Sequence, residues 1–326
     1  MEDSKWGNQT GVTEFILLGC GNLPELQVLL FLLFLVIYIV TMAGNILIVV
    51  LVVADQHLHT PMYFFLGNLS CLETCYPSTI LPKLLASLLT GDRTISVAGC
   101  IVQLYCVACL VATECCLLAV MSYDRYLAIC KPLHYAALMN DQFSLQLAVG
   151  SWLSGFTVST NTACWMSQMI FCGPNEIDHF FCDYITLLKL SCSDTSKMVL
   201  EIFLLSFIMI LLPFLLTLTS YVCIISTILR IRSTTGRQKA FSTYSSHLIM
   251  VTIFYGTLII VYMLPDTTEL GDLNKVLSVF YTVLTPLTNP LIYSLRNKEV
   301  KESLRKALSK TTTFITNHKL CYRHLW

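Results

Sequence analysis

Two glutamic acids and one acid–arginine pair stand out in a chain that is otherwise poor in charge. Glu73 and Glu114 lie deep inside apolar runs, and Asp124 and Arg125 adjoin at the end of another. A carboxylate at membrane depth is expensive unless it is protonated, shares a proton or holds a cation. Glu73 and Glu114 are therefore candidates for a proton or cation site, with two protonated, hydrogen-bonded acids as the plain alternative. Glu114 precedes Arg125 by roughly 16 Å of helix, and Glu73 follows Pro61 at a similar remove, so the acids share a depth. Arg125 is tolerated near an interface or beside a counter-charge, and Asp124 supplies one. The pair reads as a charged latch facing protein and water. Nothing at membrane depth resembles a metal triad or a nucleophile with its base, so an enzyme is not expected.

The elements that must position these groups are long apolar helices. The chain has 326 residues, 55% hydrophobic and 12% charged, which places it in the membrane class. Its formal net charge is zero and no nucleic-acid partner is expected. A helix needs about 20 apolar residues to cross the hydrocarbon core. Runs of that kind predict spans at 26–54, 61–85, 96–126, 145–171, 197–229, 240–264 and 276–295. The expected fold is an all-α membrane protein, a seven-transmembrane helix bundle of one domain. It has an N-terminal tail over 1–25 and a C-terminal tail over 296–326. Val300, Leu304 and Leu308 among Lys301, Arg305 and Lys306 predict a short amphipathic cytoplasmic helix after the seventh span. No cleavable signal peptide is evident before the first span.

Charge sets the expected orientation. Arg125, Lys131, Arg230, Arg232, Arg237, Lys239, Arg296, Lys298 and the basic residues after them fall on one side, which the positive-inside rule makes cytoplasmic. The N-terminal tail is then extracellular, the C-terminus cytoplasmic, and Asn8, in an Asn8-Gln9-Thr10 acceptor, is a glycosylation candidate. Cys100 and Arg125 are separated by roughly 37 Å of helix and emerge on opposite sides of the bilayer. Cys172, Cys182 and Cys192 lie in the loop after the fourth span, on the Cys100 side. These cysteines allow three pairings in an oxidising compartment, and spacing does not choose among them. Metal binding by His179 with the cysteines is disfavoured there.

In the outer half of the third span, Leu104, Val107, Ala108, Val111 and Ala112 share one helical face. That face is apolar and offers no carboxylate to an amine. With Leu205, Ser206 and Met209, Tyr255, Leu258, Ile259 and Tyr262, and Thr282, it would close a small pocket carrying a few hydroxyls. For any one of these residues core packing is the plainer reading; together they favour a small, mostly apolar, volatile-sized ligand.

Several stretches resemble one family. They are HLHTPMYFFLGNLS at 57–70, MSYDRYLAICKPLHY at 121–135, FCGPNEIDHFFCD at 171–183, KLSCSD at 189–194, KAFSTYSSHL at 239–248 and PLTNPLIYSLRNKEV at 286–300. The chain is similar to vertebrate olfactory (odorant) receptors, within the rhodopsin-like G-protein-coupled receptors, over nearly its whole length. The resemblance implies odorant binding and a stimulatory heterotrimeric G protein that raises cyclic AMP, with residence in the plasma membrane. It implies disulfides Cys100–Cys182 and Cys172–Cys192. It implies an N-P-x-x-Y switch at Asn289, Pro290 and Tyr293, and a coupling surface at Asp124, Arg125, Tyr126, Tyr221, Lys239 and His247. An allosteric sodium ion near Glu73, Glu114 and Asn289 is implied too; no cofactor is required. A rhodopsin-like receptor for a non-odorant ligand is the alternative. An ion-coupled transporter fits less well, given the odd span count and no repeated half.

Overall fold

In hydrocarbon a backbone must satisfy its own hydrogen bonds, and long apolar runs do so as helices. The computed structural model describes residues 12–19, 24–172, 174–230, 233–264, 270–296, 299–306 and 309, with the side chains at 24, 234–236, 238–246, 270–272 and 293–296 excepted. Helices dominate these residues. The first are α1 (Pro24–Ala54) and α2 (Pro61–Thr90), both opening on a proline, whose missing N–H goes unnoticed in a first turn. α2 stops at Gly91, whose φ of 77° lets its N–H turn back to the Ser87 carbonyl. α3 (Val97–Cys130) starts where the Ser96 hydroxyl accepts from the Gly99 N–H at 3.1 Å. After it come α4 (Pro132–Leu138) and α5 (Asp141–Ser167), the latter capped by Asn140, which accepts from the Phe143 N–H at 2.8 Å.

The next helices are α6 (Tyr184–Leu190), α7 (Ser196–Ser206), α8 (Leu212–Leu229), α9 (Thr234–Met263), α10 (Leu270–Val279) and α11 (Thr285–Arg296). A widened π turn, Phe207–Leu211, joins α7 to α8, and another, Phe280–Leu284, joins α10 to α11. Each turn ends two residues before a proline, Pro213 or Pro286. The missing N–H and the bulk of the ring disfavour a regular turn ahead of a proline, and the wider turn relieves both. Residues 299–306 are also helical, with Val300 buried and Lys301, Arg305 and Lys306 exposed. Among the described residues, Glu25–Ala54, Val97–Cys130 and Ser196–Leu229 are each long and apolar enough to cross a bilayer. Val28, Leu29 and Val53 of α1 are 69%, 60% and 72% exposed, an outward apolar face suited to lipid.

α3 is the central column, packed against α2, α5 and α8. Its contact with α5 depends on Gly155, where a Cβ would fall 2.6 Å from the Cys109 carbonyl oxygen. α1 meets α11 through Gly44, whose Cβ would stand 3.1 Å from the Pro290 Cβ, and through Asn45, which donates to the Pro286 carbonyl at 3.1 Å.

The structure departs from the all-α expectation at one end. β1 (Glu14–Leu17), β2 (Thr94–Ser96) and β3 (Glu176–Ile177) form a three-stranded sheet in the order β2-β1-β3. β1 runs antiparallel to β2, with Phe15 opposite Ile95, and parallel to β3, with Ile16 opposite Glu176. The expected tail over 1–25 is therefore partly ordered: it supplies β1, and α1 begins at Pro24. Four residues are too few to display a strand period, and their partners lie far along the chain. Phe15, fully buried, meets Phe171 edge to face at 5.2 Å. At the same end disulfides join Cys100 to Cys182 and Cys172 to Cys192, with Cα atoms 5.5 and 5.9 Å apart.

Candidate ligand cavity and switch surface

A cavity of about 90 Å³ opens beside α3 below the disulfide-bonded loop. α3 supplies Leu104, Val107, Ala108, Val111 and Ala112, four or three residues apart as one helical face requires. Leu205, Ser206 and Met209 come from α7 and the π turn after it, and Tyr262 from the end of α9. The structure brings these residues together. It does not bring Tyr255, Leu258, Ile259 or Thr282 to the wall. The Tyr255 hydroxyl, two helical turns below Tyr262, donates to the Cys115 carbonyl at 2.6 Å, so that ring is spent on joining α9 to α3. Leu258 is fully buried in the core, Ile259 packs against it, and the Thr282 hydroxyl bonds back to the Ser278 carbonyl at 2.6 Å.

The sequence reading missed Cys115, Val158, Thr162, Tyr184, Ile202, Ile210 and, above all, Asp183. Asp183 brings a carboxylate to a pocket for which none was expected. It follows Cys182, whose bond to Cys100 pins the loop over α3, and that adjacency was the available signal. Gln103 secures the same point: its amide donates to the Thr79 carbonyl and accepts from the Cys182 N–H, each at 2.9 Å. Asp183 accepts from the Tyr262 hydroxyl at 3.1 Å and from the Ile185 N–H at 3.3 Å, while Tyr262 meets the Tyr281 hydroxyl at 2.8 Å. Tyr184 stacks on Tyr262 with ring centres 5.2 Å apart. Burial lifts the Asp183 carboxyl to about 6 against these hydrogen bonds. The neighbouring His179 is buried among Phe180 and Phe181, and loss of solvent pulls its imidazole down to about 3.

Halfway down the bundle lies a buried polar cluster. The Asn289 amide donates to the Glu73 carboxylate. Glu73 Oε2, both carboxylate oxygens of Glu114, Tyr76 Oη, Thr41 Oγ1 and Asn45 Oδ1 are buried without a hydrogen-bond partner among the described residues.

The olfactory receptor family profile matches residues 34–311. The chain belongs to the olfactory receptor family. Human olfactory receptor 10A7 is 49% identical over 303 residues, 93% of this chain and 96% of the relative. Human olfactory receptor 10A4 is 50% identical over 94% of this chain and 98% of its own, and human olfactory receptor 10C1 is 51% identical over 93% and 97%. Members of this family are signalling receptors rather than enzymes, and the chain is an odorant receptor by descent.

In this olfactory receptor the arginine end is held by side chains between helices. Asp124, 1% exposed, accepts from the Tyr135 hydroxyl of α4 at 2.8 Å, and among the described residues it forms no ion pair with Arg125. The latch foreseen between Asp124 and Arg125 is thus an Asp124–Tyr135 bond, which leaves the half-buried guanidinium a neighbour instead of a partner. Tyr126 stacks on Tyr123, with ring centres 6.3 Å apart, and packs on the Tyr221–Ile224–Ile228 cluster of α8. Tyr221 is hydrogen-bonded to His247 of α9. Pro290 lies inside α11, where it meets Gly44. Asn8 and the side chains of Lys239 and Tyr293 lie outside the described residues.

Proposed function

We propose that this olfactory receptor binds small volatile molecules in the cavity beside α3 and activates a stimulatory heterotrimeric G protein, raising cyclic AMP. The observation that carries the reading is the apolar cavity beside α3, bordered by the Asp183–Tyr262 contact. A preferred ligand has an apolar body and at most one polar group, directed at Asp183 and Tyr262. At about 90 Å³ the cavity is smaller than the ~150 Å³ void that accepts benzene. Binding therefore requires side chains such as Met209 and Tyr262 to give, which biases α9 against α3 and α8. A ligand that favours the displaced arrangement shifts the population toward it. At the far end the same movement separates Tyr221 from His247 and opens the surface around Arg125 to a partner helix.

The membrane arrangement belongs to this proposal. It comprises seven spans, an extracellular N-terminus with a glycan on Asn8, a cytoplasmic C-terminus at the plasma membrane, and residues 299–306 lying on the inner leaflet. Glu73, Glu114 and Asn289 are proposed as a sodium or proton site. The unpartnered carboxylate oxygens of Glu73 and Glu114 are hard donors of the type a small cation takes, and protonation would answer the same need. Cyclic AMP in cells expressing the chain, challenged with volatile alcohols, aldehydes, ketones and acids, tests the receptor reading. A response that disappears with Arg125→Ala while surface staining persists is expected. Silence of a surface-expressed receptor across the panel would sink the odorant assignment in favour of a non-odorant ligand.

A further inference from the structure

The hydroxyl hydrogens around Asp183 all run in one direction. Ser278 donates to the Tyr281 hydroxyl at 3.4 Å, and Tyr262 donates to Asp183 at 3.1 Å. With its hydrogen spent on Asp183, Tyr262 can only accept at its 2.8 Å contact with Tyr281, so Tyr281 is the donor there. The line Ser278, Tyr281, Tyr262 thus ends on the carboxylate, and the Ile185 N–H reaches it at 3.3 Å. These donors are neutral. Asp183 is 5% exposed and among the described residues forms no ion pair, so its charge is solvated by hydrogen bonds without being cancelled. Its carboxyl, lifted to about 6, is still ionised at neutral pH.

Asp183 borders two cavities, the one beside α3 and an outer one of about 170 Å³. The outer wall carries Glu176 and Asp178 with Lys189 and Lys275, and Lys275 pairs with Asp178 at 2.6 Å. With Asp183 the acids outnumber the bases. The Asn274 amide oxygen, in the same wall, is buried without a hydrogen-bond partner among the described residues. A route lined in this way favours a cation that donates hydrogen bonds. We propose that the ligand of this receptor is a small protonated amine, with its ammonium on Asp183 and its apolar body against Val107, Val111 and Met209. The inference rests on the reading of the α3 cavity as the odorant site. An ammonium cancels the buried charge and brings several donors; an alcohol brings one donor and no charge. A ketone brings only an acceptor to a point where the hydrogens are already spent, and an acid brings a second negative charge. Tyr184 and Tyr262 border the same cavity, and tyrosine rings attract an ammonium as well.

Cyclopentylamine, cyclopentanol and cyclopentanone put a cation, a neutral donor and an acceptor on one ring, and comparing them tests this. In cells expressing the full chain, the amine should reach half-maximal cyclic AMP at a concentration about tenfold or more below the alcohol, with the ketone weaker still. Asp183→Asn should raise the amine concentration required about ten- to a hundredfold, the effect of losing a hydrogen bond to a charged group, and that of the alcohol less than about threefold. Tyr262→Phe, which leaves the charge in place, should keep the amine ahead of the alcohol. A second readout needs neither variant nor G protein: cyclopentylamine should raise the melting temperature of the purified parent more than cyclopentanol does at equal concentration. An amine-selective melting shift without cyclic AMP would support the amine site and count against the coupling reading. Responses to the alcohol or ketone that match or exceed those to the amine would leave the receptor reading standing and overturn the amine. An Asp183→Asn receptor that keeps the amine preference would overturn it too, as would a parent whose melting none of the three ligands moves.

Discussion

His179 and Asp183 sit four residues apart in one loop, and burial drives them in opposite senses. His179, held down to about 3, stays neutral in the folded loop while an unfolded histidine gains a proton near 6.5. Its contribution to stability is full above 6.5 and falls as pH drops toward 3. Asp183, raised to about 6, takes up a proton in the folded loop before an unfolded aspartate does near 3.8, so its contribution grows as pH falls between those values. The histidine shift is the larger, so acidification from pH 7 to 5 is expected to lower the melting temperature. His179→Gln should lessen that fall, and adding Asp183→Asn, which removes the opposing contribution, should steepen it again. Differential scanning fluorimetry across that range measures it; a profile unmoved by His179→Gln would refute the assignment. This pair was only half legible in the sequence. The cysteine beside Asp183 marked its position, and Phe180 and Phe181 follow His179 directly in the chain, but the surroundings of Asp183 depend on Tyr262 arriving from α9.

Among the helices, two glycines of α5 separate packing from propensity. At Gly155 a methyl group would strike the Cys109 carbonyl oxygen, a backbone atom that cannot turn aside, whereas at Gly150 nothing lies within 4 Å. Gly155→Ala is expected to destabilise the bundle by about 1–3 kcal/mol. Gly150→Ala should instead stabilise it by about 0.4–1 kcal/mol, by restricting the unfolded chain. Thermal melts of the two variants in one detergent decide this, and similar destabilisation by both would count against the α3–α5 contact as drawn. At this scale the sequence was informative about helices and weak about their irregularities. The apolar run read as 96–126 lies within Val97–Cys130 but for one residue, because hydropathy alone sets such a segment. The π turns before Pro213 and Pro286 were invisible, since a proline announces a disturbance without saying whether it becomes a kink or a wider turn. The sheet escaped notice for a related reason: its strands are too short for a pattern.

Across the whole molecule the Glu73–Glu114 cluster divides the ligand cavity from the switch surface, so its state should influence both. If sodium occupies it, replacing sodium chloride by choline chloride at constant ionic strength should lower the melting temperature and change the odorant concentration giving half-maximal cyclic AMP. Glu114→Gln should make both readouts indifferent to the cation. A parent receptor equally indifferent would leave the proton as the resident species. The residues of this cluster were legible because an acid in an apolar run has few explanations. Asn289, which the resemblance grouped with them, meets Glu73 where α11 packs against α2.

The clasp formed by β1 has a consequence for biosynthesis. Asn175 reaches back to the Glu14 carbonyl across a sequence separation of 161, at 3.1 Å, and β3 completes the sheet from the same late segment. A ribosome adding about 5–20 residues each second needs on the order of 10–30 s to cover that interval. Throughout it the first strand has left the ribosome with one edge unmatched, a template for the wrong neighbour and a flag for chaperones. The sheet is thus a closure made late in translation, and changes at Phe15 or Ile16 should be felt in how many receptors reach the cell surface before they are felt in what those receptors smell.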